Sequence, residues 1–386
     1  MARVLLFPFV AAFVVGSSLL LRNRSIRIVL MDSRYFGHQC LEAEVFWNEW
    51  KSAKDSGSRD IWLCSLGKRA DASNRTLWDL RRRQLPVVPS WFVSGLVFWH
   101  ECLKPRNVLI SHASIHRLNF LRSRATTLPI NSVMEVRRRE ILSNFANPNA
   151  PYSVFTIRDY EPKHDPRDLR NRRIQEFLPA MQALVDQGMN VIRLTVATDD
   201  RIQVESPGIL DWRVRVEGQS GDELVIVSGA EFVVSTTTGG DALALAYRRP
   251  VLYVDSSRLR ITFLGADLAT FQMPKIEDIT SGRQLTFRDI VDRGLYIVRD
   301  SRTFAEMGVR VCNSDAESIE SHVLEYYKMF KHPEDINDRE RQQIWREYLM
   351  RAHQSEILSD HGSIRARMHP TSLRDYVNVD AIRPRT

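Results

Sequence analysis

The chain predicts an α/β protein built of two doubly wound, Rossmann-like domains, and three observations carry that prediction. Short β-branched and apolar runs alternate with helical stretches along most of its length. The alternation comes in two blocks, parted at residues 147–151 by Asn-Pro-Asn-Ala-Pro, the clearest linker in the sequence. With 386 residues, 44% hydrophobic and 26% charged, the chain is long enough for two cored domains and too apolar to be disordered. The expected domains are residues 25–146 and 152–330. An apolar segment, 1–24, precedes them, and a charged helical tail, 331–386, follows.

The first block opens at residues 26–31, Ile-Arg-Ile-Val-Leu-Met, which read as a buried strand. A turn over 32–38 leads into a helix over 41–50. Strands are expected at 61–64 and 108–110. Helices are expected at 76–84, ended by Pro86, and at 132–145. In the second block residues 152–157 read as a strand and 174–187 as a helix closed by Gly188. A strand follows at 191–194, and the apolar runs 223–227 and 232–234 bracket a short turn. Helix 241–247, strand 251–254 and helix 316–328 complete the block, and 335–376 read as mostly helical. Internal repeats and low-complexity tracts are absent from the sequence. In such folds ligands bind beyond the carboxyl ends of the strands.

Residues 4–21 carry no charge. At ~1.5 Å per residue they would span roughly 27 Å, just enough for a bilayer core. Arg3 precedes the stretch, and Arg22, Arg24 and Arg27 follow it. The positive-inside bias then predicts a tether at the cytoplasmic face of a membrane. A cleaved signal peptide and a buried soluble helix are the rivals. The net charge of +7 and pI of about 9.3 call for an anionic partner: a phosphate-bearing substrate, an acidic lipid surface or nucleic acid. The arginines cluster before helices and at strand ends instead of interleaving with aromatics, which disfavours nucleic acid. Cys40, Cys64, Cys102 and Cys312 form no Cys-x-x-Cys pair, so neither a zinc knuckle nor a disulfide framework is indicated.

Residues 236–255 are the most informative stretch. An apolar strand runs into Ser235-Thr236-Thr237-Thr238-Gly239-Gly240, and a short helix follows. A small-residue turn at a helix N-terminus offers hydroxyls and backbone N–H groups to a phosphate. The same pattern also arises where a helix merely packs closely on a sheet. Upstream, Arg158 and Asp159 follow a strand, and Arg170 and Asn171 precede a helix. This is the pattern of an arginine clamp on phosphate oxygens or of a solvated basic loop. Arg193 interrupts a buried strand and needs a partner, either phosphate or a carboxylate such as Asp159. Asp199 and Asp200, after Ala197-Thr198, suit a ribose or nucleobase contact as well as a helix cap. No Asp-x-Asp occurs, which argues against a metal-bound diphosphate. His38, after Gly37 at the mouth of the first strand, fits a general base for an acceptor hydroxyl as well as a hydrogen-bonding loop residue. Glu42 and Glu44 are close by to orient it or act instead, and at least one of them is expected on the surface.

Several stretches recur together in one order: Ser33-Arg34-Tyr35-Phe36-Gly37-His38, Asn74-Arg75-Thr76-Leu77-Trp78, Ile157-Arg158-Asp159-Tyr160 and Arg170-Asn171. Val191-Ile192-Arg193, Ser235 to Gly239 and Leu285-Thr286-Phe287-Arg288-Asp289-Ile290 continue the series. The ordered set, over roughly residues 26–376, resembles a family of bacterial glycosyltransferases linked to lipopolysaccharide and surface-polysaccharide loci. Parts of it are also similar to the fucosyltransferase superfamily. The chain departs from the closer family at Leu194-Thr195-Val196, where glycine and aspartate are usual. The resemblance implies a GT-B enzyme with two facing domains, the acceptor in the first and a nucleotide-sugar donor, a GDP-sugar among the candidates, in the second. It implies Arg158, Asp159, Arg170, Asn171, Arg193, Asp199, Asp200 and the Ser235–Gly240 turn as donor residues, and His38 with Glu42 as the catalytic pair. It also implies no cofactor, no metal, and a glycan or lipid-linked acceptor. The alternative is a non-catalytic, membrane-tethered member that acts as a scaffold in polysaccharide assembly.

Overall fold

The computed structural model describes residues 10–13, 15–16, 24–105, 107–112, 128–158, 168–196, 202, 206–214, 221–256, 268–298, 300–332, 342–343, 346–347, 367–368, 372 and 376. The chain divides into two compact units, residues 1–115 with 126–128 and residues 116–125 with 129–386. Both are α/β, and the principal sheet of each is parallel.

The first unit holds β1 (Ile26–Leu30), α1 (Phe36–Asp55), β2 (Ile61–Ser65), α2 (Arg75–Gln84), α3 (Ser90–Leu103) and β3 (Val108–His112). The strand order is β2-β1-β3. Alternation along β1 sends apolar side chains to both faces. Ile26 and Ile28 pack with Leu96 and Val108, whereas Val29 and Met31 pack with Phe46, Cys64 and Trp78. Helix α1 starts five residues before the expected position, which moves His38 from a turn into the helix. Its N-terminus is pinned by Gln39. The Gln39 side chain donates to Asn74 O at 2.6 Å and accepts from Ser73 Oγ at 2.8 Å and Asn74 N at 3.1 Å. Asn74 also caps α2 by accepting from Leu77 N at 2.7 Å. Helix α3 has no counterpart among the expected elements.

Among the described residues no helix is long and apolar enough to cross a membrane. The expected anchor over 4–21 lies mostly outside them. Of its described residues, Val10 is buried in the core of the first unit with Ile26, Ile28, Leu96 and Val108.

The second unit begins with α4 (Ser132–Leu142), then β4 (Tyr152–Thr156), a 3₁₀ turn (Ile174–Phe177), α5 (Leu178–Asp186), β5 (Asn190–Val196) and β6 (Ile209–Val214). It continues with α6 (Asp222–Gly229), β7 (Val233–Ser235), α7 (Gly239–Ala246), β8 (Val251–Tyr253), β9 (Ala269–Phe271) and β10 (Lys275–Asp278). It ends with α8 (Phe287–Asp292), α9 (Ser301–Glu306), β11 (Val309–Cys312), α10 (Ala316–Lys331) and β12 (Arg367–Met368). Seven strands form one sheet in the order β12-β9-β8-β7-β4-β5-β6, and β10 pairs with β11 apart from it. Helices α5 and α10 cover one face, where Leu184, Ile319, Val323 and Tyr326 meet Phe155, Val191, Phe232, Val234 and Leu252.

The apolar run 223–227, to which the sequence pattern assigns no element type, is helical. Gly221, at φ 70, starts α6, and an apolar run buried on all sides carries no period to separate helix from strand. The division between units falls upstream of the 147–151 linker. Helix α4 is held to α6 by a bidentate pair, Arg137 to Asp222, at 3.0 Å for each bond.

Most of the expected helical tail lies outside the described residues. Where it is described, it laces the sheet edge. β12 pairs with β9, Ser372 Oγ accepts from Met273 N at 2.8 Å, and Tyr376 Oη accepts from Ile276 N at 2.9 Å.

Candidate functional site

Strand order fixes where the second unit offers a site. From β4 the chain moves outward through β5 and β6. It then returns to the opposite side of β4 as β7, so the order reverses between β4 and β7. Carboxyl ends on the two sides of such a reversal leave a crevice between diverging loops. The loop after β4 carries Arg158 and the loop after β7 carries Thr236. They are 78 residues apart in sequence, yet Arg158 N donates to Thr236 Oγ1 at 2.9 Å.

The Arg158 side chain is held from a third segment. Arg158 pairs with Asn171 in a bridge, and its Nε donates to Asn171 Oδ1 at 3.0 Å. Asp168 lies 3.8 Å from the same guanidinium and binds Arg170 through both carboxylate oxygens. Burial pushes the Asp168 carboxyl up, but the hydrogen bonds from Arg170 and the charge of Arg158 outweigh it and bring it to about 2. Asp168 therefore stays ionised and holds two arginines at the crevice. Arg172 turns inward instead. It is nearly fully buried and ion-pairs with Asp255 and, at 2.7 Å, with Glu176, while donating to Ser314 O at 2.7 Å. Asp255 in turn accepts from Ser314 Oγ at 2.7 Å, which fastens the Arg170–Arg172 segment to the end of β8.

The turn after β7 differs in detail from expectation. Its N–H groups at Thr237 and Thr238 donate to Ser235 Oγ at 3.1 and 3.3 Å, and Gly240 N donates to Thr238 Oγ1 at 3.1 Å. Three of the amides expected to be free are satisfied within the turn, which therefore presents hydroxyls more than amides. Thr237 sits in the left-handed region at φ 65, a strained conformation for a β-branched residue. Gly240 is required by proximity: a Cβ there would lie 2.6 Å from Thr156 Cγ2 on β4. Asp241, in the first turn of α7, is fully buried beneath the loop. Burial pushes its carboxyl up to about 7 against the opposing pull of the Ala242 N–H, the Tyr253 hydroxyl and the charge of Arg170.

Among the described residues Arg193 finds a carboxylate in Asp211. It faces Asp211 across the β5–β6 ladder, with Nη1 at 3.4 Å from Oδ2. Asp159, Asp199 and Asp200 lie outside the described residues. Sequence reasoning missed Asp168, Arg172, Asp255 and Asp241. The dense charge around 158–173 was the visible signal. The choice of Arg172 as the inward-facing arginine depends on the bridge between Arg158 and Asn171.

In the first unit His38 and Glu42 are i, i+4 neighbours on α1. His38 Nδ1 lies 2.7 Å from Glu42 Oε1, and Glu42 Oε2 accepts from Asp32 N at 2.6 Å. Both carboxylate oxygens are thus engaged, and Nε2 is the ring nitrogen turned away from Glu42. The hydrogen bond that the ring donates to Glu42 is the main reason that the imidazole titrates above its ordinary value, against a smaller effect of burial. The expectation that Glu42 or Glu44 is solvated is corrected. Both are buried, and Glu44 pairs with the buried Arg81 at 2.9 Å.

The fold and these two clusters define a doubly wound α/β protein with a cationic crevice at a strand-order reversal and an oriented imidazole. No protein-family model and no curated protein matches the chain. It is similar to several solved structures. The glycosyl transferase family 9 from Veillonella parvula DSM 2008 is 11% identical at a TM-score of 0.43, over 78% of this chain and 98% of that one. The E. coli ADP-heptose lps heptosyltransferase II is 12% identical at 0.39, over 64% and 90%. The E. coli heptosyltransferase WaaC with ADP-2-deoxy-2-fluoro heptose is 14% identical at 0.33, over 59% and 88%. At these values no residue role and no substrate is carried from them to this chain.

Proposed function

We propose that the chain is a glycosyltransferase that moves a sugar from a nucleotide-diphosphate donor to an acceptor hydroxyl, without an obligatory metal. The observation that supports this most is the junction at the strand-order reversal. There Arg158 bonds the Thr236 hydroxyl through its main chain while Asn171 and Asp168 hold its guanidinium. In this reading the donor diphosphate displaces Asp168 as the partner of Arg158 and Arg170, and the hydroxyls of Thr236, Thr237 and Thr238 take further phosphate oxygens. Neutral His38 accepts the acceptor proton at Nε2, with Glu42 holding the ring. The acceptor oxygen bonds to the anomeric carbon, the sugar–phosphate bond breaks, and the nucleoside diphosphate leaves with its new charge on the arginines. The donor is proposed to be a GDP-sugar and the acceptor a glycan or lipid-linked saccharide of the cell surface, on the resemblance of the ordered sequence stretches.

The test is thermal shift against a panel of nucleoside diphosphates, followed by donor turnover with and without EDTA. A ligand at 100 times its Kd raises stability by ~2.7 kcal/mol. No shift with any nucleoside diphosphate would remove the donor reading. Binding without turnover would favour the scaffold reading. Loss of turnover in EDTA, restored by manganese or magnesium, would remove metal independence.

A further inference from the structure

Strand register sets a row of hydroxyls beneath the β7–α7 turn. Thr156 on β4, Ser235 on β7 and Tyr253 on β8 are Cα partners in parallel strands, so their side chains leave one face of the sheet at its carboxyl end. All three are buried, and Gly240 brings the start of α7 against Thr156. The first turn of α7 adds a carboxyl group, Asp241, with no exposed surface. Its Oδ1 accepts from Ala242 N at 2.8 Å, whereas Oδ2 is buried without a hydrogen bond among the described residues. A charge with one unsatisfied oxygen in such a place is costly, and burial pushes its titration up to about 7.

The groups that oppose burial link this acid to the crevice. From β8 the Tyr253 hydroxyl favours the ionised form, and burial keeps that hydroxyl itself protonated. Arg170, held by Asp168, favours it through its charge. Helix α6, packed beside α7, carries in its first turn Asp222, paired with Arg137, and the buried Glu223. Among the described residues of β4 and β7, the uncharged Thr156 and Ser235 lie in the row. A diphosphate taken up by Arg158 and Arg170 in place of Asp168 replaces one negative charge with two, and it cancels the attraction that Arg170 offers Asp241. The bound anion and the ionised acid therefore oppose each other. An added charge roughly 10 Å away, at an effective dielectric of ~20, moves a carboxyl by about one pH unit, equivalent to about tenfold in affinity.

We propose that Asp241 couples donor binding to a proton: the crevice takes a diphosphate while Asp241 is a neutral acid and releases it as Asp241 ionises. This rests on the donor reading of the crevice. Because the bound anion raises the value of about 7 found in the free protein, affinity is full below that pH and falls above it, and binding there takes a proton from solvent. The test is isothermal calorimetry on the full chain with GDP-mannose, UDP-glucose and ADP-glucose, at about pH 5.5 and about pH 8.5, and at about pH 7.5 in two buffers of different ionisation enthalpy. The diphosphate of a nucleotide sugar does not titrate in that range, so the proton count belongs to the protein. The expected result is binding about tenfold weaker at the higher pH, with net proton uptake. Asp241→Asn should bind at both pH values with the parent's low-pH affinity and lose that uptake. Tyr253→Phe keeps the ring stacked on Phe271 at 4.8 Å and removes a group that favours the ionised form, so it should move the fall in affinity to higher pH. An affinity that does not change with pH in the parent, or that falls equally in Asp241→Asn, would overturn the proposal and leave the donor reading standing. A parent that binds none of the three sugars at either pH would overturn both.

Discussion

Asp241→Asn isolates the cost of a carboxyl buried beneath the β7–α7 turn. Asp241 is fully buried, and its ordinary value of 3.8 is pushed up to about 7, chiefly by burial. At ~1.4 kcal/mol per pH unit that difference is worth roughly 4 kcal/mol. The sign follows from proton counts. Between pH 3.8 and 7 the folded protein keeps a proton that the unfolded chain has released, so stability falls as pH rises through this window. Above about pH 7 the full cost is present. Asparagine keeps the shape and cannot ionise. Between pH 5 and pH 8 the parent should therefore lose about 2.7 kcal/mol more than the variant. Urea unfolding at the two pH values, read on the transition of the second unit, measures the difference. All other titrating groups are common to both proteins and cancel. Parallel pH profiles would refute the reasoning, because they would mean that Asp241 titrates alike in the folded and unfolded states.

Other expectations concern the candidate site itself. Arg158→Ala should weaken nucleoside-diphosphate binding by roughly 1.5–3 kcal/mol and leave nucleoside binding nearly unchanged; equal weakening of both would place Arg158 away from phosphate. His38→Ala should cut turnover by about 10²–10⁴ with donor affinity retained. In the parent, kcat/KM should fall as the pH drops through a value above 6.5, and Glu42→Gln should move that limb to lower pH by removing the main cause of the upward displacement. An unmoved limb would exclude Glu42 as the positioning partner. Gly240→Ala, whose Cβ would meet Thr156, should destabilise by about 1–3 kcal/mol and impair anion binding, read by thermal melts with and without ligand.

The alternation of apolar runs was enough to place β1, β4, β5 and β7 within a residue or two, because a strand buried on both faces writes itself as a short β-branched block. It was not enough for α6, where uniform burial erases the period, nor for α3, where Ser90, Ser94 and Glu101 form too thin a polar line among apolar residues to mark a helical period. Arg158 and Thr236 were legible one at a time as strand-end residues. Their meeting was not, since it depends on β7 returning beside β4 after β5 and β6. Arg193 was legible as a charge in need of a partner, but Asp211 follows from cross-strand register. Asp168 lies close to Arg170 in sequence, yet its hold on Arg158 as well requires the loop to fold back. Asp241 reads in sequence as an ordinary first-turn acid, and only the Gly240–Thr156 approach shows how deeply it is sunk.

The lacing of residues 367–376 onto β9 and the β9–β10 connection bears on how the chain is made. The amides of Met273 and Ile276 take their partners from Ser372 and Tyr376, about a hundred residues later. The first unit lies in the first third of the chain and can fold while the second is still being made. The second unit must wait at the ribosome with one edge of its seven-stranded sheet open until residue 376 is out. For all that time the outer side of β9, which β12 covers in the finished fold, can template pairing with other chains. The same lacing makes the tail a closing seam, so a premature stop before residue 367 would spare the cationic crevice and leave that edge exposed for good.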